Sequence, residues 1–117
     1  MGNLDSANIV KNIIRGTFSY LDAGGEQTIL ELADGASRVL CGGWLDSSAF
    51  TKNGTLAIYY KVDGTNYRLL DTILVIAATP CVFFDSTYGI HYSWKITWTE
   101  ALDEGAARAL PYDLVWI

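Results

Sequence analysis

TLAIYYKVDGTNYRLLDTILVI, running from Thr55 to Ile76, is the stretch whose reading decides the fold class. Leu56, Ile58, Tyr60 and Val62 alternate with Ala57, Tyr59 and Lys61, so one face is wholly apolar, as a half-buried strand requires. Asp63-Gly64 tolerates the positive φ angles of a type I′ turn, and a second β-rich run follows at once. The pattern predicts a hairpin at the centre of an all-β domain.

The returning strand is apolar on both faces, with Leu69, Ile73 and Val75 on one and Leu70, Leu74 and Ile76 on the other. If Leu56 and its alternates point inward, Ala57 and Tyr59 point outward. A strand apolar on both faces is buried on both. In a small sandwich the second cover comes from another subunit or from the N-terminal segment, and the closed symmetric homo-oligomer is the usual solution. Ala57, Tyr59, Leu70, Leu74 and Ile76 are therefore the expected subunit interface.

The flanking sequence repeats the strand and turn signals. Residues 1–8 are polar and read as a loose arm, and the β-branched and aromatic run after Ile9 reads as an extended segment to about Tyr20, with a short helix as the alternative. Gly24-Gly25 marks a turn. Gln27 to Ala33 and Ser37 to Leu45 flank Asp34-Gly35 and predict a second hairpin, with a bulge or close backbone approach at Gly42-Gly43. Trp44 to Phe50 then leaves the sheet as a loop, with Phe50 tucked beneath it. Thr79-Pro80 breaks the chain, Cys81 to Phe84 is a short strand, and Asp85 to Gly89 reads as a turn. From Ile90 to Glu100, Tyr92, Trp94, Ile96 and Trp98 alternate with polar residues. Glu100 to Leu110 reads as a wide loop, and Pro111 opens a last strand where its missing N–H is tolerated.

About eight short strands without a long helix predict an antiparallel β-sandwich, jelly-roll-like in preference to an up-and-down barrel. The 117 residues fit one domain. Half of them are hydrophobic and only 18% are charged, enough for a core and a covered partner surface. The net charge of −5, with no Lys/Arg cluster, disfavours nucleic acid. No apolar run reaches the roughly 18 residues of a membrane span, and no charged-then-hydrophobic leader opens the chain, so a soluble protein without membrane contact, cytoplasmic or virion-associated, is expected. Met1 to Ser6 fits the loose myristoylation pattern, but one acyl chain without a basic patch anchors weakly. Asn53-Gly54-Thr55 reads as a turn in preference to a glycosylation site. Cys41 and Cys81 read as buried free thiols in preference to a disulfide.

Catalytic patterns fail for want of residues. His91 is the sole histidine and no nucleophile motif accompanies it, so it reads as an exposed strand-edge residue, and metal sites built from His or Cys fail with it. Glu100, Asp103 and Glu104 read as a solvated loop, since the alternating acidic positions of a calcium loop are absent. No cofactor, metal or enzymatic activity is expected. Trp44, Trp94, Trp98 and Trp116, with seven tyrosines, admit two readings. Exposed, they would stack on sugars and make the chain a carbohydrate-binding module. Buried, each indole contributes roughly 4–6 kcal/mol, and the core can use them fully.

EQTILEL, WLDSSAFTKNGTLAIYYKVDGTNYRLLD and WKITWTEALDEGAARALPYDLVW together resemble small all-β proteins of phages, proviruses and related archaeal elements that serve as virion or tail components. The resemblance covers residues 26–117 and rests on the LDSSAF loop, the KVDGTNYR hairpin and the EGAARALPY approach to the last strand. It implies no catalytic residue. A non-enzymatic structural subunit in a symmetric homo-oligomer is expected, a trimer first, in a virion, a virus-like particle or an engineered assembly.

Overall fold

The computed structural model describes residues 12–21, 25–32, 38–90, 94–100, 102 and 104–116; for residues 12, 32, 38–41, 85–90 and 116 it describes the backbone alone. The described strands are β1 (Asn12–Tyr20), β2 (Gly25–Leu32), β3 (Arg38–Leu45), β4 (Gly54–Tyr60), β5 (Arg68–Val75), β6 (Val82–Ile90), β7 (Trp94–Glu100) and β8 (Arg108–Trp116). They form two four-stranded antiparallel sheets, ordered β1-β8-β3-β6 and β2-β7-β4-β5. The chain passes between sheets after almost every strand, with β4 and β5 as the one consecutive pair kept together. That order is the jelly roll.

The core between the sheets takes in the alternate positions of β4 and β7 that the sequence pattern singles out, together with residues of β1 and β8 that it does not. Leu56 and Ile58 of β4, Trp94, Ile96 and Trp98 of β7, Leu110 and Leu114 of β8, and Tyr20 of β1 are all buried there. Phe50 is buried under its own loop, its ring 5.2 Å from Trp98 and 6.1 Å from Tyr20. Ser47 fastens that loop to the segment after β5, because its Oγ donates to the carbonyls of Ile76 (2.7 Å) and Thr79 (3.1 Å). The bulge expected at Gly42-Gly43 is present as a register shift between Leu40 and Gly42. A Cβ on Gly43 would lie 2.5 Å from the Asp113 carbonyl oxygen, so the two backbones approach as only glycine permits.

Four local expectations are corrected. β2 and β3 do not form a hairpin: they lie in different sheets, each paired elsewhere. Asp34-Gly35 itself lies outside the described residues; an Asx-Gly pair signals a chain reversal but says nothing of which sheet the chain enters next. The β4–β5 hairpin is real, yet its connection runs from Lys61 to Tyr67, so Val62 leaves the strand and is exposed. There Gly64 has φ 77° and donates to the Lys61 carbonyl, while Asp63 Oδ1 accepts from the Thr65 and Asn66 N–H groups. The side-chain bonds of Asp63 build a longer turn than the pair alone predicts. Asp85 to Gly89 is strand, because pairing with β3 holds the turn-prone residues of β6 extended. β8 begins at Arg108, so Pro111 is inside it. The carbonyl of Pro111 accepts from Asp46, just past the end of β3, so its missing N–H falls where that ladder has stopped.

Residues 1–11, His91, Tyr92 and Asp103, the side chains of Cys41 and Trp116, and the turn at Gly24 lie outside what is described. Cys81 is exposed, which corrects the expectation of a buried thiol. It precedes β6 beside Pro80, outside both sheets, where no opposing layer covers it.

Candidate functional site

Among the described strands β5 is at the edge of its sheet, paired with β4 on one side only. Tyr59 pairs with Leu69 and Ile58 with Asp71, which makes Leu70 the extra residue of a bulge. The bulge shifts the alternation. Leu69, Thr72 and Leu74 share the outer face with Tyr59, Ala57 and Thr55, while Ile73 and Val75 turn to the core. Leu74 is 64% exposed, and Leu69, Leu70 and Ile76 are exposed beside it. Residues 12–20 of the N-terminal segment do not cover them, because β1 is paired with β8 in the other sheet. Among the described residues, nothing covers the outer face of this doubly apolar strand.

Ala57 and Tyr59 sit differently from their expected interface role. Ala57 does face outward, but it is only 5% exposed, a single methyl between Thr97 of β7 and Thr72 of β5. It offers almost no surface. Tyr59 is half-buried and donates its hydroxyl to Glu26 Oε2 at 2.5 Å, and Thr97 Oγ1 donates to the same oxygen at 2.6 Å. The Thr97 and Tyr59 bonds hold the Glu26 carboxyl below its ordinary value, and the Glu26 bond raises the Tyr59 phenol. Lys95 Nζ lies 5.1 Å from the Tyr59 ring and 4.7 Å from that of Tyr67, whose hydroxyl donates to Glu31 at 2.7 Å. The outer face of the second sheet is thus a satisfied polar belt over β2 and β7 and an open apolar margin along β5.

The outer face of the first sheet carries a different feature. Register places Arg15 of β1 opposite Asp113 of β8, Asp113 opposite Trp44 of β3, and Trp44 opposite Phe83 of β6. A cation, an anion and two aromatic rings therefore run in one row across all four strands. Arg15 Nη2 donates to Asp113 Oδ2 at 2.9 Å. Trp44 is 44% exposed, and its ring centroid is 4.6 Å from that of Phe83, which is 55% exposed. Two register positions along, on the same face, Thr17 faces Pro111, and β3 has already given way to Asp46. The short side chains there leave an open depression of about 330 Å³ lined by Arg15, Thr17, Trp44, Asp46, Pro111 and Asp113, among others. Arg15, Phe83 and Asp113 were not singled out by sequence reasoning. Their partnership comes from pairing between strands remote in the chain, and no local signal announces it.

The four-tryptophan sugar platform is corrected. Trp94 and Trp98 are buried in the core, with Trp98 fully enclosed, because β7 is a central strand and they point at the opposing sheet. Neither can present a ring to a sugar. Trp44 alone is exposed among the described tryptophan side chains.

Glu100 and Glu104, expected in a solvated loop, are buried. Glu104 clamps the start of the β4 approach: Thr51 N (3.0 Å), Thr51 Oγ1 (2.9 Å), Lys52 N (2.9 Å) and Arg108 Nε (3.1 Å) all donate to it. Burial alone would raise its carboxyl, but the Thr51 and Lys52 bonds outweigh that and hold it at about 2. Glu100 has the opposite environment. Burial first, and the Glu104 carboxylate second, push it up to about 8. The Trp98 indole, beside the same carboxyl, acts the other way and lowers it. Two adjacent carboxyls with divergent affinities can act as an acid and a base, but both are buried here, and Glu104 ties the loops at one end of the sandwich together. Among the described residues there is no group of three or more His, Cys, Asp or Glu side chains placed to hold a metal ion, and no helix long and apolar enough to cross a membrane.

No protein-family model matches the chain, and no curated protein sequence does. Solved structures are similar to it in fold. One comes from the Bacillus endospore appendages, described as a family of disulfide-linked pili, at 18% identity and a TM-score of 0.55 over 93% of this chain and 89% of that one. The Yersinia pseudotuberculosis-derived mitogen is 15% identical, with a TM-score of 0.52 over 90% of this chain and 86% of that one. VP2 of infectious bursal disease virus, in a subviral particle, is 16% identical with a TM-score of 0.51 over 92% of this chain; the match spans 32% of VP2. At these identities the likeness is one of fold.

Proposed function

We propose that this chain is a non-enzymatic structural subunit, a single sandwich domain that assembles with copies of itself through the open margin of β5. The observation that carries the reading is the exposure of Leu69, Leu70, Leu74 and Ile76 along one unpaired strand edge. A long apolar edge invites pairing with another chain, and natural monomers blunt such edges with charge, proline or a covering segment. Here the described part of the margin carries Arg68, Asp71 and Thr72 but is otherwise apolar from Leu69 to Ile76. Burying each leucine contributes about 1.5–3 kcal/mol, so a few such side chains make a substantial contact.

Two of the proteins similar in fold are described as parts of assemblies, a pilus and a subviral particle. The resemblance of residues 26–117 to virion and tail proteins of phages and proviruses points the same way. The proposed assembly is a closed homotrimer, virion-associated, in which the β5 margin of one copy meets a different surface of the next. Such a heterologous contact closes a ring when the rotation permits and otherwise runs on as a filament. Sedimentation equilibrium at micromolar concentration should return three times the 12.8 kDa chain mass. Leu74→Lys should return the chain mass itself with the far-ultraviolet spectrum of strands intact. A wild-type monomer would overturn self-assembly; a dimer or filament would overturn the trimer and leave the edge as the contact.

A further inference from the structure

We propose that the depression beside Trp44 on the outer face of the first sheet binds a neutral saccharide. Trp44 stands between two different neighbours. Phe83 backs it on the β6 side at 4.6 Å, and the depression opens on the side of β8 and β1. The indole packs against Phe83 while remaining 44% exposed, and so offers an apolar face to the depression. Its volume of about 330 Å³ lies at the small end of the roughly 300–1,000 Å³ typical of ligand clefts.

Charge selects the class of ligand. An anion entering the depression meets the carboxylates of Asp113 and Asp46, and a cation meets the Arg15 guanidinium. Arg15 and Asp113 already neutralise each other at 2.9 Å. A neutral ring with hydroxyl groups suits both signs, because each hydroxyl donates and accepts. Its apolar C–H face packs on the indole. Its hydroxyls accept from the Arg15 N–H groups not given to Asp113, exchange bonds with the Thr17 hydroxyl, and donate to Asp46. The Asp46 carboxylate is pre-oriented, since one of its oxygens accepts from both the N–H and the hydroxyl of Ser48. The site lies on the sheet opposite to the one that carries the β5 margin.

The test uses the full chain, labelled with ¹⁵N and titrated separately with maltotriose, cellotriose, mannotriose and triacetylchitotriose up to about 10 mM, a range that captures millimolar dissociation constants. At least one sugar should shift the Trp44 indole N–H resonance saturably. Trp44→Ala should weaken that binding, read on the backbone amides of Thr17 and Asp46, roughly tenfold or more, equivalent to about 1.4 kcal/mol. Thr17→Phe, at an exposed strand position, should block the depression with the Trp98 indole resonance unmoved, which keeps the test valid if the tryptophan variant fails to fold. The proposal is overturned if no sugar gives a saturable shift, if the shift survives Thr17→Phe, or if only the controls, tetramethylammonium chloride and sodium sulfate, elicit one.

Discussion

β4 and β5 are the two arms of one hairpin and are comparably apolar, yet they meet opposite fates. β4 lies between β7 and β5, and Gly54, Leu56, Ala57 and Ile58 are all buried. β5 has a described neighbour on one side only, and Val75 alone is buried among its residues. Hydrophobicity qualifies both strands for a sheet; position in the sheet decides which becomes core and which becomes surface. The surplus on β5 is what a second copy would cover.

The sharpest way to break the comparison is to truncate one leucine in each arm. Leu56→Ala, at a fully buried site, should cost about 2–5 kcal/mol in urea unfolding of the dilute subunit, whereas Leu74→Ala should stay within about 0.5 kcal/mol. Equal losses would mean that β5 is buried in the subunit after all. Next in size is Gly54→Ala at the start of β4, where a Cβ would collide with the Trp98 indole; overpacking there should cost about 1–3 kcal/mol. An unchanged urea midpoint would show that the indole can move aside.

The third prediction concerns the buried end of β4, where Gly54 is paired with Glu100. Glu100 keeps its proton in the fold up to about pH 8, against an ordinary value of 4.5. The unfolded chain therefore loses that proton first, and stability should fall as pH rises from 4.5 to about 8. Glu104 runs the other way: it stays ionised in the fold down to about 2, and its contribution is lost as pH falls from 4.5 toward 2. The Tm should peak near pH 4.5, and Glu100→Gln should flatten the limb between 4.5 and 8. A limb that persists unchanged in the variant belongs to another group. The smallest effect is expected at β5, where Leu74→Lys should leave the Tm of the dilute subunit within a few degrees of wild type, checked by differential scanning calorimetry.

Much of the fold was legible because strands announce themselves locally. Alternation at Leu56–Ile58 and Trp94–Trp98 reports which side chains enter a core, and the glycine pair at Gly42-Gly43 reports a bulge, since period-two geometry acts over a few residues. Turn signals carried less. Asp34-Gly35 does not pair β2 with β3, and the turn-prone stretch from Asp85 to Gly89 is held extended by β3. The candidate sites were legible only in part. Leu70, Leu74 and Ile76 stood out as surplus apolarity, but Ala57 disappeared between threonines and Leu69 changed faces at a one-residue bulge. Trp94 and Trp98 belonged to the core, and the exposed ring, Trp44, acquired its neighbours Arg15, Asp113 and Phe83 from strands far apart in the chain.

The sequence by itself determined an all-β sandwich, its acidic and histidine-poor chemistry and the composition of its core, because alternation, turn residues and side-chain type are local properties. Only the tertiary structure decided that β5 is an edge, that Glu100 and Glu104 are buried side by side, and that four strands align a cation, an anion and two rings in one row. Strand order and register set these, and both depend on long-range pairing that no window of the chain contains.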